Sequence, residues 1–199
     1  MMTTNWRGYR IGAWVGLLVL LVLIGAAVLQ GEWNNAIALA GFGVAAVVFI
    51  LTDDRLPTLF DFLFVIAALL NAGGWVWRLF YQPGPYDEIT HAFTTFAVTL
   101  ALGFLVYRSM LSVFRQHPWL YVLTVASFGI AIGAVWEIVE WTAGFIFNTE
   151  VIGDVNDTVT DLIMDSLGAG LAALLSLWAL RERISRRQAN EQNREWNVR

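Results

Sequence analysis

The chain has 199 residues, 58% of them hydrophobic and 14% charged, whereas a soluble domain is about a quarter charged, so composition argues against a water-soluble fold. It contains no cysteine, which excludes disulfides, thiolate metal sites and cysteine nucleophiles, and it contains no lysine. Sixteen acidic residues against twelve arginines leave a net charge of -4, which gives no reason to expect nucleic acid as a partner.

A helix needs about 20 mostly apolar residues to cross a bilayer core, and six such stretches follow one another. The first, about Ile11 to Leu29, comes after Arg7 and Arg10; its apolar core is longer than the roughly 7–15 residues of a signal peptide, so it reads as a span. The second runs from about Ala36 to Leu51 and is closed by Thr52-Asp53-Asp54-Arg55 and Pro57. The third covers about Thr58 to Phe80, ended by Gln82-Pro83-Gly84-Pro85. The fourth opens with Asp87 as its expected N-cap and runs to about Tyr107, before a loop holding Arg108, Arg115 and Pro118. The fifth spans about Trp119 to Phe147. After the polar loop Asn148 to Asn156, the sixth runs from about Asp157 to Leu180. All four prolines fall in the expected loops. The expected fold is an all-α, polytopic transmembrane bundle of six helices, one domain over residues 1–180, followed by a flexible arginine-rich tail over 181–199.

Arginines set the orientation, because positively charged short loops stay in the cytoplasm. With both termini inside, Arg7, Arg10, Arg55, Arg108, Arg115 and the six tail arginines are cytoplasmic, and only Arg78 lies toward the other side. The loops assigned outside, Gln30 to Asn35, Gln82 to Tyr86 and Asn148 to Asn156, carry no basic residue. Trp6, Trp33, Tyr81, Tyr107 and Trp119 stand at span ends, where aromatic side chains anchor to the interface. The tail, with a net charge of about +3, reads as a topology anchor beside anionic lipid. Gly12 with Gly16, and Gly129 with Gly133, have the small-xxx-small spacing that lets helices pack closely.

Ionisable side chains inside a span are costly and default to a functional reading. They concentrate in Tyr86-Asp87-Glu88-Ile89-Thr90-His91, in Glu137-Ile138-Val139-Glu140, and in Asp157, Asp161 and Asp165. Residues three or four apart share a helical face, so each set lies on one side of its helix. At about 1.5 Å per residue, His91 and Asp161 fall roughly 6 Å inside the outer helix ends, Glu140 and Asp165 roughly 10–12 Å, and Glu137 roughly 15 Å. The short connection makes the fifth and sixth helices antiparallel neighbours, so these acids meet. Asp87, Glu88, Glu150 and Asp154, at a helix N-terminus or in an outer loop, need no function, and His117 before Pro118 is expected to be solvated.

Carboxylates so grouped cannot all be ionised in a low-dielectric interior without compensation. A divalent metal, shared protons, or Arg78 in the outer part of the third helix are the three available compensations, and the donor set does not choose among magnesium, manganese, iron and zinc. The bland alternative is hydrogen bonding between helices, at about 0.6–2 kcal/mol per bond. No H-E-x-x-H or G-x-S-x-G motif is present, and the paired Glu-x-x-His of di-iron bundles is missing. Transporters often use broken helices and inverted repeats, and these spans show neither.

On Tyr86-Asp87-x-x-x-His91, Glu137-x-x-Glu140-Trp141 and Gly153-Asp154-x-x-Asp157-Thr158-x-x-Asp161, continuing to Asp165 and Gly168, the chain resembles the YjdF-like family of inner-membrane proteins of bacteria and archaea, a domain of unknown function. The resemblance covers about residues 58 to 180 and implies a multi-pass protein of a prokaryotic plasma membrane. The layout is also similar to the VanZ-like family, associated with glycopeptide resistance, but Glu140 stands where that family usually has glutamine, and the arginine before its last acidic helix is lacking.

The leading expectation is a site open toward the outer face and enclosed by the last four helices. In it, His91, Glu140, Asp157, Asp161 and Asp165 hold a divalent metal, Glu137 acts as general base on a bound water, and Arg78 steadies an anionic lipid or envelope precursor. The rivals are a proton or cation transporter using the same carboxylates, and a non-catalytic envelope or resistance factor. The inner halves of the fifth and sixth helices offer little polar beyond Thr124, Ser127 and Ser176, which favours a one-sided site.

Overall fold

In lipid an apolar run can satisfy its backbone only by closing its own hydrogen bonds, and the six runs do so as helices. The computed structural model describes residues 5–52, 56–109, 114, 116–147 and 155–196. Asp53, Asp54, Arg55, Arg115, Glu150, Gly153 and Asp154, and the side chains of Arg108 and of the arginines after Arg181, lie outside the described residues. The helices are α1 (Arg7–Leu29), α2 (Trp33–Thr52), α3 (Thr58–Val76), α4 (Tyr86–Ser109), α5 (Pro118–Phe147) and α6 (Val155–Trp196), and each is long and apolar enough to cross a membrane. Among the described residues there is no strand.

Of the boundaries that differ from expectation, four have a clear local reason. The third helix stops at Val76: the Trp77 N–H bonds to the Gly73 carbonyl, Arg78 turns left-handed at φ 54°, and Leu79–Tyr81 adds one 3-10 turn. A left-handed residue there satisfies the last carbonyls of the helix. Its cost of roughly 1–2 kcal/mol in a residue with a Cβ is offset in part by the guanidinium lying 5.4 Å from the Tyr81 ring centroid. Helix α4 begins at Tyr86, so Asp87 sits inside the first turn instead of capping it. Pro118 belongs to α5 as its first residue, where a missing N–H has no partner to lose. Finally, α6 does not end near Leu180 but continues to Trp196. Residues 171–199 contain neither glycine nor proline and are rich in good helix formers.

The bundle is two three-helix groups, α1–α2–α3 and α4–α5–α6, joined where α3 packs on α4. That seam is tied by Asn71 Nδ2 donating to Thr94 Oγ1 at 3.2 Å and by Tyr86 OH donating to the Leu70 carbonyl at 2.7 Å. Phe42 and Trp136 meet across α2 and α5 at 5.9 Å. Leu18, Val22, Ile138, Phe145, Leu171 and Trp178 point outward from the bundle, as lipid-facing residues would.

Lipid is as apolar as leucine, so helix contact depends on close fit. Both glycine pairs mark such contacts: Gly12 and Gly16 admit Phe62 and Val65 of α3, while Gly129 and Gly133 admit Thr99 and Asp165. Gly168 of α6 meets the α4 backbone itself, where an added Cβ would lie 2.3 Å from the Ala92 carbonyl oxygen. Backbone cannot swing aside, so Gly168→Ala is expected to cost about 2–3 kcal/mol, read as a lower thermal midpoint in detergent.

At the end opposite His91, a charged pair outside the three expected acidic segments appears. Arg10 Nε lies 2.9 Å from Oδ2 of Asp61, which is buried in the first turn of α3, and Arg10 also donates to the Ile50 carbonyl at 3.4 Å. One arginine thus ties α1 to the end of α2 and the start of α3.

Candidate acidic-histidine site

The site grows from the first turns of two helices and the last turns of a third. His91 is on the buried face of α4, Glu137 and Glu140 approach from α5, and Asp161 and Asp165 from α6. Their four- and three-residue spacings bring them together as expected. His91, Glu137, Asp161 and Asp165 are each at most 7% exposed, while Glu140 is half-buried.

The imidazole has carboxylates at both of its nitrogens. Nε2 lies 3.7 Å from Asp87 Oδ1; Nδ1 lies 3.5 Å from Asp165 Oδ1 and 3.7 Å from Glu137 Oε1. Thr95, one turn below His91, donates to Asp165 Oδ1 at 2.5 Å and fixes that carboxylate. Two overlapping donor sets result, Asp87 with His91 and Asp161, and His91 with Glu137 and Glu140, each with one ligand atom per residue and all atoms within 4.8 Å of one another.

Two buried oxygens here have no hydrogen-bond partner among the described residues, Glu137 Oε1 and Asp165 Oδ2. An unpaired buried acceptor costs free energy, and a cation, a water or a proton would remove that cost. Metal-bound histidines ordinarily donate their second N–H to a carboxylate, and Asp165 stands where Nδ1 would need it.

Several sequence expectations change here. Asp87, read as a helix-terminal acid needing no function, is a member of the first donor set; its four-residue step to His91 was the available signal. Asp157 is half-buried and belongs to neither set, and Asp165 touches His91 without completing either. Arg78 is exposed at the rim and, among the described residues, makes no ion pair with the cluster. His117 is exposed as expected.

Gly133 makes room for Asp165, since an added Cβ would fall 2.3 Å from its Oδ2. Gly133→Ala is therefore expected to displace the carboxylate and to cost about 1–3 kcal/mol, read as a lower thermal midpoint in detergent.

A family model described as a predicted membrane protein, DUF2238, matches residues 10–182, which takes in every residue of the cluster. The chain belongs to the DUF2238 family. This is the YjdF-like family that the chain's acidic motifs resemble, and the DUF2238 protein is accordingly a multi-pass membrane protein. Neither the curated proteins nor the solved structures hold a match to it, and nothing found bears on the VanZ-like layout.

Proposed function

We propose that this protein binds a divalent cation between Asp87, Nε2 of His91 and Asp161, near the extracytoplasmic face of a prokaryotic plasma membrane. The observation that carries the reading is the imidazole held between carboxylates, Asp87 at Nε2 and a threonine-fixed Asp165 at Nδ1. That is the carboxylate–histidine–metal arrangement, in which the outer carboxylate sets the tautomer and strengthens the ligand. Oxygen-rich donors with a single nitrogen suit a hard ion such as Mn2+ or Mg2+. Glu137, in the second donor set, would serve either as a reserve ligand or as the base that accepts a proton from a bound water.

The arginine asymmetry supports termini in the cytoplasm and the cluster outside. A half-buried Asp87 and an exposed Arg78 at the same end suit an anionic lipid-linked or envelope precursor as the substrate class. In that reading Asp87, His91 and Asp161 would hold a cation able to polarise an oxygen of the headgroup, and Arg78 would bind its negative charge.

Metal analysis by mass spectrometry on detergent-purified protein tests the cation. Wild type is expected to hold Mn2+ near one per chain after supplementation and desalting, and a variant carrying Glu140→Ala with Asp161→Ala to hold almost none. Equal, negligible metal in both would sink the reading.

A further inference from the structure

The polar face of α4 does not end at the acidic site. His91, Thr95, Thr99 and Gly103 follow at four-residue steps and all are buried, Thr99 completely. Opposite Gly103 a second buried hydroxyl pair completes the row: Tyr121 OH of α5 donates to Ser176 Oγ of α6 at 2.8 Å, and both residues are fully buried. The absent side chain of Gly103 is what admits them, since a Cβ there would lie 2.8 Å from each oxygen. From His91 to Gly103 the row covers about 18 Å of axis, more than half of a bilayer core of about 30 Å. Tyr121 is only one turn from the far end of α5. Ser176 is visible in the sequence as an inner polar residue, but its partners are not, because the threonines are on α4 and only packing brings Tyr121 to Ser176.

We propose that this row, Thr95, Thr99, Ser176 and Tyr121, conducts protons between the acidic site and the opposite face of the bundle. Thr99 Oγ1 has no hydrogen-bond partner although it is buried. It stands about one turn, roughly 6 Å, from the Ser176–Tyr121 pair along the axis, the span of a single bridging water. Buried waters are found where polar groups otherwise lack partners. The hydroxyls lie close against glycine surfaces, since a Cβ on Gly129 would meet Thr99 Oγ1 at 2.1 Å, and proton transfer along such a row needs less room than passage of a hydrated ion. Each hydroxyl accepts a proton on its oxygen and releases its own hydrogen to the next, so no net bond is made; Ser176 must turn its hydrogen from the Ala173 carbonyl, which now receives it at 2.9 Å, toward Thr99. Phe114, edge-on to Tyr121 at 5.3 Å, covers the far end.

This inference does not require the metal. The test is proton flux into liposomes holding the full-length protein and an internal pH dye, driven by a potassium diffusion potential, with and without added Mn2+. Wild type is expected to exceed protein-free liposomes, and Thr99→Val and Tyr121→Phe each to lower the protein-dependent flux at least fivefold while retaining wild-type metal content. Wild-type flux no greater than protein-free liposomes in either condition, or unchanged flux in both variants, would overturn the proposal. Metal content read on the same samples separates this outcome from failure of the cation reading, because the variants leave every cation donor in place.

Discussion

His91→Ala is expected to abolish Mn2+ binding, whereas Asp87→Asn and Glu140→Gln are each expected to weaken it only partly. Both donor sets contain His91, and no other imidazole lies in the cluster: His117, the second of the chain's two histidines, is exposed at the opposite end of the bundle. Removing the imidazole would take away the one nitrogen donor shared by both sets and also the Nδ1 that faces Asp165 at 3.5 Å. Loss of an outer-shell partner alone typically costs about 10–100-fold in affinity, so loss of the shared ligand should cost more than about 100-fold. Asp87→Asn disables one set and leaves His91 with Glu137 and Glu140, so an ion can relocate. Calorimetric Mn2+ titration of the three variants checks the ranking. Equal affinity in wild type and His91→Ala would show that the imidazole is not a ligand, and a total loss in Glu140→Gln would move the site to the inner set.

The second large effect concerns stability at the other end of the molecule. Arg10→Met is expected to destabilise the protein by about 3 kcal/mol, because it takes the guanidinium from a carboxylate that is only 2% exposed. On the scale of soluble domains of this size, that lowers the thermal midpoint by about 6–12 °C. The arginine side chain is 45% exposed, so its own desolvation is modest and most of the loss comes from Asp61. Adding Asp61→Asn to Arg10→Met also removes the buried negative charge that Arg10 had balanced and is expected to recover at least half of the loss. Thermal unfolding followed by fluorescence-detected size exclusion measures both. An additive double variant would mean that the two residues do not act as a pair. Metal content should stay unchanged in both variants, since the pair and the acidic site lie at opposite ends of the spans.

The six helices were legible in the sequence because their signal is local. Any run of about 20 apolar residues must close its own hydrogen bonds in lipid, and no distant contact can alter that. Boundaries were less legible where the ending depends on backbone conformation: Arg78 takes a left-handed turn that glycine usually makes, and no composition rule marks it. The meeting of His91, Glu137, Asp161 and Asp165 was legible too, since helical spacing fixes the face and the short α5–α6 connection fixes the depth.

What the sequence determined by itself is therefore the set of spans, the arginine asymmetry, and the presence of acids and a histidine at one depth. The tertiary structure alone decided the partners. It brought Asp87 into the cluster and left Arg78 at the rim; it also matched Arg10 to Asp61 across 51 residues and aligned the α4 threonines with Tyr121 and Ser176. The physical reason is that helix faces follow from period, a local property. Which face meets which neighbour follows instead from the fit of glycines such as Gly103, Gly133 and Gly168 against side chains and backbone that are distant in the chain.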